Sequence, residues 1–277
     1  MSGDTVSGGP MSGGTVRVEV DDAGVAHVEM CRAEAGNAID LAMARGLLAA
    51  ARTCEGADGV RAVLLTGRGR SFCVGGDLRE FAALPGDRLA AHLDRVTDAL
   101  HGALRVFAAL DAPLVVAVQG AAAGAGLGLA AAADLTLAAS DATFVAAYTG
   151  IGYSPDAGVS WSLPRLVGPK RALDLLLTNR RITASEAADM GLVSRVVDAG
   201  RLTEEAGATA ELLARGATRA FGATRRLVAA GLSSGLDAHL DAEARGLADA
   251  AVSAEGRAGV AAFLARRRPD HGVSRAI

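Results

Sequence analysis

The stretch that decides the fold is G-A-A-A-G-A-G-L-G-L-A-A-A-A-D, Gly120 to Asp134, which directly follows the apolar run P-L-V-V-A-V-Q, Pro113 to Gln119. A short continuous apolar run, a glycine-studded loop and an alanine-rich tract read in turn as buried strand, loop and helix. Pro113 to Ala133 has the length of a membrane span, but Gln119 and the glycines interrupt it, and a strand followed by a helix explains it better. A glycine loop between strand and helix receives negative charge on its backbone N–H groups. The question is which charge.

A nucleotide phosphate fits poorly. Gly124, Gly126 and Gly128 stand as G-A-G-L-G, with Leu129 where the dinucleotide fingerprint wants Gly or Ala, and several elements precede the loop. No G-K-[ST] of a phosphate-binding Walker loop occurs anywhere in the chain. A second glycine loop, S-F-C-V-G-G-D-L from Ser71 to Leu78, also follows a buried strand and also leads toward a helix. Two such loops can aim two backbone N–H groups at one point, the arrangement that suits an oxyanion formed during a reaction. Glycine and alanine let the backbone approach a substrate oxygen that a larger side chain would keep away. A helix starting after Gly126 would add its positive end.

Outward from these loops, Val16 to Glu19 and Val25 to Met30 alternate around D-D-A-G, the pattern of a hairpin turning near Asp22 to Gly24. A helix is expected from after Asn37 to about Glu55, a strand from Arg61 to Gly67, a long helix from Arg88 to Leu110, and strands at Leu114 to Val118 and Leu135 to Ala138. Strands alternating with helices predict an α/β body with parallel pairing. From Pro164 onward the periodicity is mostly helical, with Thr183 or Ser185 and Thr203 as N-cap candidates. The division read from this is a flexible tail over 1–14, a core over 15–200 and a helical appendage over 201–277.

Composition narrows the function classes. The 277 residues suffice for a large core. The net charge of -3 gives no general attraction to nucleic acid or to an anionic membrane, so neither is an expected partner. Cys31, Cys54 and Cys73 are odd in number and widely spaced, which suits a reducing cytoplasm better than a disulfide framework. The tail lacks the basic start and apolar centre of a signal peptide. His27, His92, His101, His239 and His271 show no paired spacing, so no metal site is expected.

The order of A-G-N-A-I (Ala35 to Ile39), F-C-V-G-G-D-L, P-L-V-V-A-V-Q-G-A-A-A-G-A-G, A-D-L-T-L-A, L-P-R-L-V-G and A-x-x-x-G-L-V (Ala187 to Val193) resembles the crotonase, or enoyl-CoA hydratase/isomerase, superfamily over about residues 15–270. The resemblance implies a spiral of ββα turns with a C-terminal helical trimerisation region, assembled as a homotrimer or a dimer of trimers. It implies an acyl-CoA thioester as substrate, with coenzyme A as part of that substrate and no separate cofactor. The thioester oxygen would be bound by the backbone N–H groups of Gly76 and Ala125, within loops shaped by Gly75 and Gly124. Arg32 and Arg79 occupy family positions near the CoA nucleotide, and Arg266, Arg267 or Arg268 could reach a neighbouring subunit's ligand.

Wall residues separate the chemistries. The hydratase branch carries Glu at the positions of Gly128 and Tyr148, neither of which is a carboxylate here. Within Ala146 to Arg165 the sole acidic side chain is Asp156, in S-P-D-A-G, which is also good turn chemistry. Isomerases of the family, including the ring-1,2-epoxyphenylacetyl-CoA type, resemble this chain in placing P-D-x-G there. One base suffices to take a proton from the carbon beside the thioester and return it two carbons away. The 4-chlorobenzoyl-CoA dehalogenase branch resembles it too, with a His upstream of the central-strand Pro as His101 stands before Pro113, an aromatic at Tyr148 and an Asp nucleophile at Asp156. There the Asp attacks an aryl carbon and the His activates water. Double-bond isomerisation is the expected activity. Hydration with a different water arrangement, aryl-CoA dehalogenation and a non-catalytic acyl-CoA binding subunit are the alternatives.

Overall fold

The computed structural model describes residues 14–269 and 271. The expected tail, apart from Gly14, lies outside the described residues.

The chain opens with the expected hairpin: β1 (Val16–Val20) and β2 (Val25–Met30) pair antiparallel, with Asp21 Oδ1 accepting the Ala23 and Val25 N–H groups in the turn. From β2 the sheet grows in parallel through β3 (Ala62–Gly67), β4 (Leu114–Val118), β6 (Leu135–Ala139) and β9 (Arg195–Val197). All of β4 is buried, which is why it is apolar at every position rather than alternating. On one side of the sheet α1 (Leu41–Gly56), capped by Asp40, packs Met43, Leu47, Ala50 and Cys54 toward α3 (Gly86–Ala109). Their three- and four-residue spacing makes one helical face.

A second, smaller sheet joins β5 (Ala121–Ala123), β7 (Thr143–Val145) and β8 (Ile182–Thr183). No periodicity marks β5, since three alanines have weak strand preference, and its form comes from pairing on both sides. α4 (Ala125–Ala131) follows at once, buried along its whole length. Then come α5 (Val159–Val167), α6 (Pro169–Thr178) and α7 (Ala184–Asp189). Thr183 caps α7 by accepting the Glu186 N–H, whereas Thr203 lies inside α8 (Leu202–Ala214).

α8 buries Leu202, Ala206, Ala210 and Ala214 against the main sheet, so the layer closing the core runs past the expected boundary at residue 200. The outlying helices are α9 (Thr218–Gly231), α10 (Leu236–Val252) and α11 (Ala254–Leu264). Arg225 ties α9 to the core, donating to Asp134 Oδ1 at 2.7 Å and to the Phe107 carbonyl at 3.0 Å. α10 buries no residue and exposes Leu236, Leu240 and Leu247, and α11 exposes Val260, Phe263 and Leu264. Among the described residues, no helix is long and apolar enough to cross a membrane.

Candidate active site

The two glycine loops are stitched together by strand-like pairing. Cys73 N–H donates to the Ala121 carbonyl at 3.1 Å and Ala123 N–H to the Cys73 carbonyl at 2.9 Å, so the first loop runs beside β5 as an added strand. A little further on, Ile39 N–H donates to the Gly75 carbonyl at 2.7 Å and Asp77 N–H to the Ile39 carbonyl at 3.0 Å. In this parallel bridge between Ile39 and Gly76 the flanking peptides carry the bonds, leaving the N–H of Gly76 turned away from Ile39. Ala125 is the first residue of α4, and its N–H has no carbonyl partner within the helix. Both residues line the same cavity, of about 580 Å³.

Glycine is required where the loops meet. A Cβ on Gly75, at φ +97°, would stand 3.0 Å from the Ala123 carbonyl oxygen and 3.5 Å from Gly124 Cα. Gly124 itself has φ +52° and ψ -119°, a conformation that L side chains disfavour.

The remaining candidates divide into two groups. Gly75, Gly76, Gly124, Ala125, Tyr148 and Asp156 come together on the cavity wall. Arg32, Arg79 and His101 do not line it. The Arg32 guanidinium donates to the Ala38 carbonyl at 2.7 Å and pairs with Asp40 at 2.9 Å and Asp77 at 3.0 Å, which ties the A-G-N-A-I segment to the Gly75–Gly76 loop. Asp77 also caps α2 (Leu78–Ala82) through the Arg79 and Glu80 N–H groups. Burial pushes the Asp77 carboxyl up, but Arg32 and these backbone donors outweigh it and hold the group below the usual carboxylate range. Arg79 is exposed.

Asp156 is partly buried, and its Oδ1 accepts the Tyr148 hydroxyl at 2.6 Å. Its Oδ2 has no protein partner among the described residues. Tyr148 is 8% exposed, and burial, reinforced by the Asp156 charge and hydrogen bond, holds its hydroxyl well above the usual tyrosine range. It therefore stays a donor. Left-handed alanines flank the pair: Ala147 at φ +61° precedes Tyr148 and Ala157 at φ +49° follows Asp156. Such conformations are uncommon outside glycine and concentrate at functional sites. Within the first loop, burial pushes the Cys73 thiol up to about 12, which keeps it protonated and inert.

His101 lies on α3, with its Nε2 accepting the Ala157 N–H at 3.1 Å. Gly128 does not reach the cavity, because the Ala157 peptide packs directly on it.

Several contributors carried no assigned role in the sequence. Asn37 is fully buried and its amide donates to the carbonyls of Arg68, Ser71 and Phe72, fixing the approach to the first loop. Only its place inside A-G-N-A-I signalled it. Leu89, Leu93, Val96 and Leu100 of α3 face the cavity, and their helical spacing is visible in the sequence, although it does not say which wall they form. The result is a largely apolar chamber whose wall holds both Gly76 and Ala125 and, among the described residues, one carboxylate oxygen without a protein partner and no cationic side chain. That combination suits a carbanion beside a carbonyl whose oxygen takes the charge.

Comparison with known proteins agrees. The Enoyl-CoA hydratase/isomerase family pattern matches residues 21–273. A Rhodobacter capsulatus protein named "Probable enoyl-CoA hydratase" is 42% identical over 259 residues, covering 94% of this chain and 98% of its own. The 1,2-epoxyphenylacetyl-CoA isomerase of Escherichia coli is 36% identical over 251 residues, covering 90% and 95%. The crystal structure of an enoyl-CoA hydratase from Polaromonas sp. JS666 superposes with a TM-score of 0.86 at 32% identity, over 93% of this chain and 99% of that one. With its paired glycine loops and this match along nearly its whole length, the chain belongs to the enoyl-CoA hydratase/isomerase, or crotonase, family.

Proposed function

We propose that the protein shifts a carbon–carbon double bond in an acyl-CoA thioester. The observation that carries this is that Asp156 is the only carboxylate on the cavity wall among the described residues, with one oxygen held by Tyr148 and the other without a protein partner. Asp156 Oδ2 takes the proton from the carbon beside the thioester. The electron pair moves onto the thioester oxygen, which meets the N–H groups of Gly76 and Ala125. The same carboxyl returns the proton two carbons away, so the double bond moves and nothing is gained or lost. The apolar walls keep water from the dienolate.

Hydration is the second reading, supported by the name of the Rhodobacter relative. In it, Asp156 alone would orient the water, since Tyr148 is committed to Asp156 and Gly128 lies outside the cavity. Dehalogenation needs His101 to activate water in the chamber, which that residue does not line. Arg79, exposed on α2, is the candidate to meet the CoA phosphates, whereas Arg32 is held between two carboxylates. The apolar faces of α10 and α11 support assembly as a trimer or a pair of trimers. The free cysteines suit a cytoplasmic protein.

The test is turnover of 3-enoyl-, 2-enoyl- and 4-chlorobenzoyl-CoA by the wild type and Asp156→Asn. Isomerisation of the 3-enoyl thioester, abolished in the variant, is the expected result. Hydration of the 2-enoyl thioester alone would overturn the preference for isomerisation, and unchanged turnover in the variant would remove Asp156 as the base.

A further inference from the structure

Gly128 is packed so closely on Ala157 that a side chain at 128 would meet the Ala157 backbone. A Cβ on Gly128 would stand 2.6 Å from the Ala157 carbonyl oxygen and 2.7 Å from the Ala157 Cβ. Ala157, the residue directly after Asp156, therefore fills the space a side chain at 128 would take. Ala157 sits at φ +49°, in the left-handed region that an L residue rarely adopts. Something must hold it there.

The holder is on α3. His101 Nε2 accepts the Ala157 N–H at 3.1 Å, which requires that Nε2 carry no proton and that the neutral ring keep its hydrogen on Nδ1. The acceptor rides on a rigid element, because Ala99, Leu100 and Ala103 beside it are buried in the main core. His101 does not line the cavity, and its hydrogen bond among the described residues is to the backbone rather than toward a ligand. Asp156 is thereby fixed twice: Tyr148 holds its side chain, and His101 holds the peptide that leaves it.

We propose that His101 is a positioning residue, whose bond to the Ala157 N–H keeps Ala157 seated against Gly128 and so sets where the Asp156 carboxylate meets the substrate. This rests on Asp156 being the base. It differs from direct acid–base work by the imidazole, for which a ring nitrogen would have to face the substrate or its water.

The experiment uses the full chain with His101→Ala, His101→Gln and Asp156→Asn. The probe is butanoyl-CoA in deuterated water, with uptake of deuterium at the carbon beside the thioester as the readout. Amide exchange over residues 155–160 is followed in parallel. Glutamine has a carbonyl oxygen able to accept the Ala157 N–H but no acid–base capacity. His101→Ala is expected to slow deuterium uptake at saturation by roughly 10–100-fold, the scale of a misplaced catalytic group, with KM within about threefold of wild type. It should also speed amide exchange in the segment, and His101→Gln should restore most of both. The proposal is overturned if His101→Ala matches the wild type while Asp156→Asn is inactive. It is equally overturned if His101→Gln is as inactive as Asp156→Asn while the segment stays protected, because the imidazole would then be doing chemistry. Unchanged uptake in Asp156→Asn points elsewhere, to failure of the base assignment itself. Should His101→Ala not fold, the glutamine variant decides alone, wild-type uptake supporting the positioning role and uptake as low as in Asp156→Asn refuting it.

Discussion

The Tyr148 hydroxyl donates to Asp156 Oδ1 at 2.6 Å, so the oxygen left without a protein partner is Oδ2. Tyr148→Phe removes one hydrogen bond to a charged group, about 1.5–3 kcal/mol of interaction. The expected result is a fall in kcat of roughly 10–100-fold with a small change in KM, read by steady-state kinetics. A drop confined to KM would mean that the hydroxyl contacts the substrate instead.

The same tyrosine has an alkaline signature. Its hydroxyl is held above the usual value of about 10 in the folded chain, so above that pH the unfolded chain ionises while the native one does not. Stability is full below pH ~10 and falls as pH rises beyond it. Because the chain has two tyrosines, tyrosinate absorbance resolves this cleanly. Titrations of wild type and Tyr148→Phe should superimpose until alkaline unfolding, where the wild type gains the extra chromophore.

Gly128 governs which carboxylate the site can use. Gly128→Ala should destabilise by about 1–3 kcal/mol in denaturant unfolding, because its Cβ would overlap the Ala157 backbone. Gly128→Glu should lose more, and it should gain no hydration of 2-enoyl-CoA despite restoring the hydratase residue type. An active hydratase from that single change would show that the Ala157 segment yields easily.

This contact also shows what the sequence could and could not reveal. The parallel strands, the long helix and both glycine loops were legible because a continuous apolar run or a helical stripe forces burial wherever it occurs. Asp156 stood out as the lone acid between Ala146 and Arg165. The absence of Glu at 128 was legible, but its cause was not, because the obstacle is a backbone segment from far along the chain. Arg32 is a different case: its position suggests a phosphate ligand, while its partners Asp40 and Asp77 are recognisable only once three segments have met. β5 escaped notice because a strand of three alanines exists only through its neighbours. The packing of α8 on the main sheet was not legible because amphipathic periodicity reports a buried face without saying which body buries it.

Arg32→Ala should act on the acid side. Asp77 is held below its usual range, so its contribution is present above pH ~4 and lost as pH falls through the lowered folded value. Without Arg32, burial acts less opposed, and the acid-limb slope of stability should flatten. At neutral pH the loss should be about 2–4 kcal/mol, since two carboxylates lose their partner together. Urea unfolding from pH 3 to 7 measures both.

Leu247 is 73% exposed and Phe263 is 79% exposed on adjoining helices. Apolar patches of this kind mark association surfaces. The double variant Leu247→Glu, Phe263→Glu should run as a smaller species by light scattering with its helical signal intact. If wild type and variant both run as single chains, the helices serve some other contact.

The bridges joining Ile39 to Gly76 and Cys73 to Ala122 imply something about how this chemistry is stored. The two donors proposed for the thioester oxygen belong to the main chain, and their separation would follow from strand pairing, which any sequence able to form those pairs reproduces. An oxyanion site made this way would have no side chain of its own to delete. It is lost only when something intrudes between the strands, so the plainest residues in the protein, its glycines and alanines, are the ones least free to change.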